Sequence, residues 1–269
     1  MKCRIVLLSL IALYVTGCSS WSIPITQGDL KNAQNYGYHP IDPIPVNLEF
    51  KYPSITHTNK HLLNALPDET MRLAIGQFDG KVGLTFGTAT AGTEGNNYVV
   101  ILDYIKFNTD SLPVVLEKEQ STTKANFAPD APDPDVLVPT YIGVGLRLTA
   151  NIAVIKGSVD LGNLFALGAA AEAKKISGSL VIQTLGISGE NVSSIIPMPS
   201  EINASTIQNA ILALGTIKAK MYGADTKITP RVVGVYNNLG GGAETINGFI
   251  SSMLQKPRTL EVDNAVDVI

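Results

Sequence analysis

Ile142-Gly143-Val144-Gly145-Leu146-Arg147-Leu148-Thr149-Ala150-Asn151-Ile152-Ala153-Val154 alternates between apolar residues and small or polar ones without a break. Ile142, Val144, Leu146, Leu148, Ala150, Ile152 and Val154 fall on one face, and Gly143, Gly145, Arg147, Thr149, Asn151 and Ala153 on the other. A period of two is that of extended chain, whose successive side chains point to opposite sides. The stretch predicts one long amphipathic strand, and with it a fold whose core is laid on a sheet.

Working upstream, β-branched and aromatic runs at residues 72–78, 82–88, 98–107 and 114–117 predict further strands, with Asp79-Gly80 as the hairpin turn between the first two. Residues 59–66 suit a short helix stopped by Pro67. Between the strands and the opening stretch, residues 128–139 interleave four prolines with Asp130, Asp133 and Asp135, a composition that predicts an exposed loop or hinge. Downstream, Asp160 is placed to cap an Ala-rich helix running toward Lys174 and Lys175, and residues 176–187 read as a second strand. Residues 206–222 form the best helical pattern: Ser205 and Gln208 match a capping box, and Ile207, Ile211, Leu214 and Met221 share one face. A short strand at 232–236, a turn at Gly240-Gly241-Gly242 and a last helix at 246–255 complete the series. The expected class is α+β, a predominantly antiparallel sheet with two or three packed helices.

Lys2 and Arg4 precede an almost wholly apolar run at 5–15, too short to span a bilayer, and Leu13-Tyr14-Val15-Thr16-Gly17-Cys18-Ser19-Ser20 follows directly. This order resembles the lipobox-type signal peptide of bacterial lipoproteins, over about the first twenty residues. The resemblance implies that residues 1–17 are a signal peptide, that the Cys18 thiol carries a diacylglyceryl group and that the mature chain begins at Cys18. Two or more acyl chains give a stable membrane anchor where one gives only reversible binding. In bacteria with two membranes, Asp directly after the lipidated Cys retains such proteins in the inner membrane. Ser19 stands there, so the outer membrane is the expected address. Behind the anchor, residues 18–53 are polar and interrupted by Pro24, Pro40, Pro43, Pro45 and Pro53, which predicts an extended tether, with Val46, Leu48 and Phe50 as one strand in it. A single body at 54–257 and an acidic tail at 258–269 follow.

Composition narrows the function. Twenty Lys and Arg stand against 23 Asp and Glu, and without Lys2 and Arg4 the balance is 18 against 23. A net negative chain without a basic cluster argues against nucleic acid as partner. Of the two cysteines, Cys3 would leave with the signal peptide and Cys18 would be acylated, which leaves no disulfide and no thiolate nucleophile.

His57 and His61 have the i, i+4 spacing that sets two imidazoles on one helical face, and they are the candidate metal ligands. The Glu that accompanies such a pair in metalloprotease helices is replaced by Thr58, and no third ligand follows at motif spacing, so no metal and no cofactor is expected. Asp130, Asp133 and Asp135 lack the Gly of a calcium-binding turn. Ser188 does not satisfy G-x-S-x-G, and no His follows it to act as base. Gly240-Gly241-Gly242 lacks the Lys-Ser/Thr ending of a phosphate loop.

The expectation is therefore a non-enzymatic, lipid-anchored envelope protein with a binding or assembly role, partnered by other envelope proteins or by itself. Two alternatives stand beside it. The strand at 142–154 exceeds the ~9–11 residues a membrane-crossing strand needs, so it suits one subunit's share of an oligomeric pore or secretion channel. An enzyme without a recognisable motif would need a cleft that gathers carboxylates such as Asp103 or Glu172.

Overall fold

The computed structural model describes residues 37–80, 83–87, 90–119 and 122–265. The protein is α+β, mostly sheet, and the sheet is mainly antiparallel. The elements in chain order are β1 (Gly37–Phe50), α1 (Asn59–Asn64), β2 (Asp68–Asp79), β3 (Gly83–Phe86), β4 (Ala91–Thr93), β5 (Asn97–Glu119), β6 (Thr122–Phe127), β7 (Val136–Val154) and β8 (Ser158–Asp160). They continue with α2 (Leu164–Glu172), β9 (Ile176–Leu185), β10 (Ile187–Ser188), α3 (Glu190–Ser193), β11 (Ser200–Glu201), α4 (Ala204–Lys220), β12 (Lys227–Ile228), β13 (Arg231–Asn237), α5 (Ala243–Leu254) and β14 (Arg258–Val262). The expected signal peptide, Cys18 and the expected tether up to residue 36 lie outside the described residues.

β5 and β7 are the spine. They pair from Asn97↔Ala153 to Val114↔Val136, and each gives its other edge to two different strands. β5 carries β2 against its first half and β6 against its end; β7 carries β13 near Tyr141 and β9 from Gly145 onward. The switch from β13 to β9 falls at Gly143 and Gly145. A Cβ on Gly145 would sit 1.9 Å from the Tyr104 carbonyl oxygen, and one on Gly143 would sit 2.3 Å from that of Lys106. Only glycine permits this close approach of the two backbones.

Period two then divides the burial. Ile142, Val144, Leu146, Leu148, Ala150, Ile152 and Val154 face the main core together with Ile207, Leu214 and Met221 of the α4 segment and Leu164 and Leu167 of α2. The opposite face carries a smaller core of Tyr38, Val99, Ile101, Ile105, Phe107, Tyr141, Leu185 and Val233. β7 is thus an interior strand, paired on both edges and covered on its apolar face.

Several boundaries move. Residues 98–107 and 114–117 belong to one 23-residue strand rather than two. The second half of the expected tether is β1, between β13 and β14, with Tyr38, Ile41 and Ile44 buried. The acidic tail likewise begins as strand β14, parallel to β1, and Asn264 is fully buried, bonded to Tyr52 and Ile55. The loop at 128–135 joins β6 to β7, both of which pair with β5, and Pro139 lies within β7. Asn163, not Asp160, caps α2, accepting from the Phe165 and Ala166 amides, and the box at the start of α4 is Asn203 with Thr206. Asp160 accepts from Gly162 N–H instead. Five helices, rather than two or three, are present among the described residues, and none is long and apolar enough to cross a membrane.

Gly145→Ala is expected to cost about 3 kcal/mol, because the added methyl must push a paired backbone aside. Urea unfolding followed by far-UV circular dichroism measures it, and an unchanged midpoint contradicts the close approach.

Candidate functional site

Arg147 sits on the face of β7 away from the Ile and Leu row, and Asp103 stands directly opposite on β5. Both are buried, at 5% and 0% exposure. A buried charge is tolerated only when paired and fully hydrogen-bonded. Arg147 Nε donates to Asp103 Oδ1 at 2.8 Å and Nη2 to Oδ2 at 2.7 Å, a bidentate fork. Two further donors reach backbone carbonyls, Nη1 to Ile41 at 2.8 Å and Nη2 to Val233 at 3.0 Å.

Both carbonyls come from irregular places. The register of β1 on β13 shifts between Pro40 and Ile44, and that of β13 on β7 shifts between Val232 and Gly234. Bulged residues leave the ladder, and here the guanidinium takes up their oxygens. Tyr38 completes the cluster, donating its hydroxyl to Asp103 Oδ2 at 2.5 Å. Its ring lies over Gly234, where a Cβ would come within 2.4 Å, so the glycine is the notch through which Tyr38 reaches the carboxylate. Tyr38 packs on Tyr141 with centroids 5.7 Å apart, and Tyr141 meets Phe107 edge-on at 5.1 Å.

Burial pushes the Asp103 carboxyl upward, while the Arg147 guanidinium and the Tyr38 hydroxyl pull it back. The net direction is upward from the usual carboxylate range, with three donors converging on the two oxygens. Tyr38 is raised well above the ordinary phenol value, first by burial and then by the Asp103 charge, so it stays a donor. The arrangement binds strands to one another and leaves neither oxygen facing solvent.

His39 lies next to this cluster, edge-on to Phe86 at 5.0 Å. The two rings border a recess of about 40 Å³ that also touches Asn237, Gly242, Ile246 and Asn247, against the several hundred Å³ typical of a small-molecule site. The His39 ring is pushed down to about 4, first by burial and second by the Arg147 charge.

The other sequence candidates are dispersed. His57 precedes α1 and stacks on Phe50 at 4.2 Å, while His61 is within α1 and its Nδ1 accepts from Thr58 N–H at 3.0 Å. The pair does not share a helical face, because the helix begins at Asn59. Among the described residues no group of three or more His, Cys, Asp or Glu is placed to hold a metal ion. Asp135 accepts from Leu116 N–H at 2.7 Å, tying the Pro-Asp loop to β5. Ser188 pairs across to Lys227, and Gly240, Gly241 and Gly242 all take positive φ before α5. Asp103 and Glu172 do not meet, since Asp103 is sealed on one face and Glu172 ends a helix packed on the other. Tyr38 and the partnership of Asp103 with Arg147 were missed, although a lone Asp in the run 98–107 and a lone Arg in 142–154 were a visible signal. Comparison with protein-family models, curated proteins and solved structures finds no match to this chain.

Asp103→Leu alone is expected to cost about 3–5 kcal/mol by stranding a buried guanidinium. Adding Arg147→Met regains part of it, the Ile41 and Val233 carbonyls still lacking their donor; urea midpoints of the double-mutant cycle read both. For His39, the unfolded chain, near 6.5, binds a proton that the folded chain refuses between about pH 6.5 and 4. Stability is whole above that window and falls as pH drops through it, by about 2–3 kcal/mol at pH 4.5. His39→Gln should flatten this slope in urea unfolding at pH 7.5 and 4.5.

Proposed function

We propose that this chain is a lipid-anchored protein of the bacterial cell envelope, held at the outer membrane by acyl chains on Cys18. Its body has a non-catalytic binding or assembly role, as an accessory subunit of an envelope complex. The observation that carries this reading is the succession, in the sequence, of Lys2 and Arg4, apolar 5–15 and Gly17-Cys18. Chain length is compatible with it: residues 19–36 can place Gly37, the start of β1, up to roughly 60 Å from the anchored sulfur. A body with a net negative balance and no basic cluster suits protein partners better than nucleic acid.

The use made of the buried polar side chains supports a binding role over catalysis. Asp103, Arg147 and Tyr38, which would make a plausible acid-base set in a cleft, are spent on internal hydrogen bonds. The pore reading gains no support from β7, whose apolar face is occupied by α2 and α4.

Labelling with an alkyne palmitate analogue should mark the wild type and not Cys18→Ser. The variant should move from the membrane to the soluble fraction with unchanged circular dichroism. Persistent membrane association of an unlabelled Cys18→Ser protein contradicts the anchor. Detergent-solubilised wild type should co-purify with other envelope proteins, and recovery only as a lone monomer contradicts the assembly role.

A further inference from the structure

We infer that the Tyr38, Asp103 and Arg147 cluster is a force-bearing clasp, which stops β1 from peeling off the sheet under tension applied through the chain that leads to Cys18. The inference rests on the anchor proposed above. The chain from Cys18 enters the described body at Gly37, so a pull on the anchor arrives first at the start of β1.

The backbone ladder of β1 is poorly suited to resist that pull. Pro40, Pro43 and Pro45 have no N–H to donate. Only Gly37 to Pro40 pair with β13 before the register breaks, and pairing resumes at Ile44. Peeling begun at Gly37 would cross this weak stretch residue by residue, because each ladder bond is loaded in turn.

The clasp falls within that stretch. One residue behind Gly37, the Tyr38 hydroxyl is bonded to Asp103 on β5, and three residues further the Ile41 carbonyl is bonded to Arg147 on β7. These bonds run from β1 to the two central strands, which hold each other from Asn97↔Ala153 to Val114↔Val136. They engage ionised groups, which makes them stronger than neutral ladder bonds, and they are buried from competing water. The same guanidinium also holds the Val233 carbonyl of β13. β1 and its neighbour are therefore pinned to the spine together, and neither leaves alone.

The test uses the full chain with Cys3→Ser, produced without lipidation, so that Cys18 is a natural handle for optical tweezers. Ser251→Cys, on an exposed position of α5, supplies the second handle. A control geometry replaces the Cys18 handle by Glu172→Cys in a Cys18→Ser background. Tyr38→Phe should shorten the lifetime at constant force roughly tenfold in the Cys18 geometry, and leave the control geometry unchanged. An unchanged lifetime through Cys18, or an equal fall in both geometries, overturns the clasp. Hydrogen exchange of the otherwise unaltered protein gives a reading free of variants: the amides of Tyr38 and His39, in the stretch of β1 that pairs with β13, should stay protected until the spine of β5 and β7 opens, and their exchange ahead of β5 and β7 overturns it. Neither readout depends on acylation, so failure of the clasp and failure of the anchor are told apart.

Discussion

A guanidinium removed from water has to recover its hydrogen bonds from protein, and Arg147 recovers them from three different strands. Asp103 lies on β5, Ile41 on β1 and Val233 on β13, while Arg147 itself belongs to β7. Desolvating such an ion costs several kcal/mol even after relaxation, so the pairing is a condition on everything around it. The bulges in β1 and β13 present carbonyls at the right places, and Gly234 leaves room for the Tyr38 ring. A buried pair is a weak source of net stability, since an apolar substitute of equal volume often does as well. Its stronger effect is on register. Slipping β7 by one residue would turn Arg147 into the Ile and Leu core and Leu146 or Leu148 toward Asp103.

The two faces of the sheet follow from the same strands. β5 and β7 are long because each serves two sets of neighbours, β2 and β9 over one part, β6 and β13 over the other. The helices cover the Ile and Leu face. On the other face, where β13 and β1 extend the sheet beyond β7, Tyr38, Tyr141 and Phe107 pack together. The small core is therefore closed by the chain's own N-terminal strand rather than by a helix.

What was legible in the sequence was whatever local periodicity encodes. Residues 142–154 alternate perfectly because one side meets a helical layer, and the helix of α4 shows its stripe for the same reason. β1 was obscured by Pro40, Pro43 and Pro45, residues that argue against a strand with two neighbours. Its register break and side-chain bonds accommodate them. β14 was obscured by its charges: Arg258 pairs with Asp110, leaving only Leu260 and Val262 as a short inward row. Caps were misplaced by two or three residues because Asp160 and Asn163, or Asn203 and Ser205, are chemically similar, and only the backbone angle selects between them. Of the cluster, the lone Asp103 and lone Arg147 in otherwise apolar or small-residue strands were visible, but their pairing and the part of Tyr38 depend on strand order and register, which no local pattern carries.

Tethering to a surface, on the proposed anchor, gives the way the edges are finished a physical sense. Copies confined to one membrane meet at raised effective concentration, and an unprotected strand edge is then a template for pairing. β6 is shielded by α5: Phe127 N–H donates to Ser252 Oγ at 2.8 Å, and Thr245 Oγ1 donates to the Thr123 carbonyl at 2.8 Å. β3, at one end of the sheet order, is only four residues long, and β14, at the other, is flanked by the charged pairs Arg258 with Asp110 and Lys51 with Asp263. The exposed pair Lys51 with Asp263 adds little stability, yet a charged edge is a poor template for pairing. The prolines of β1 act in the same direction, removing donors from a strand near that end. The N-terminal strand thus reconciles two demands, few free donors for foreign strands and a firm hold on its own sheet, and it meets the second through side chains because the first has thinned its backbone ladder.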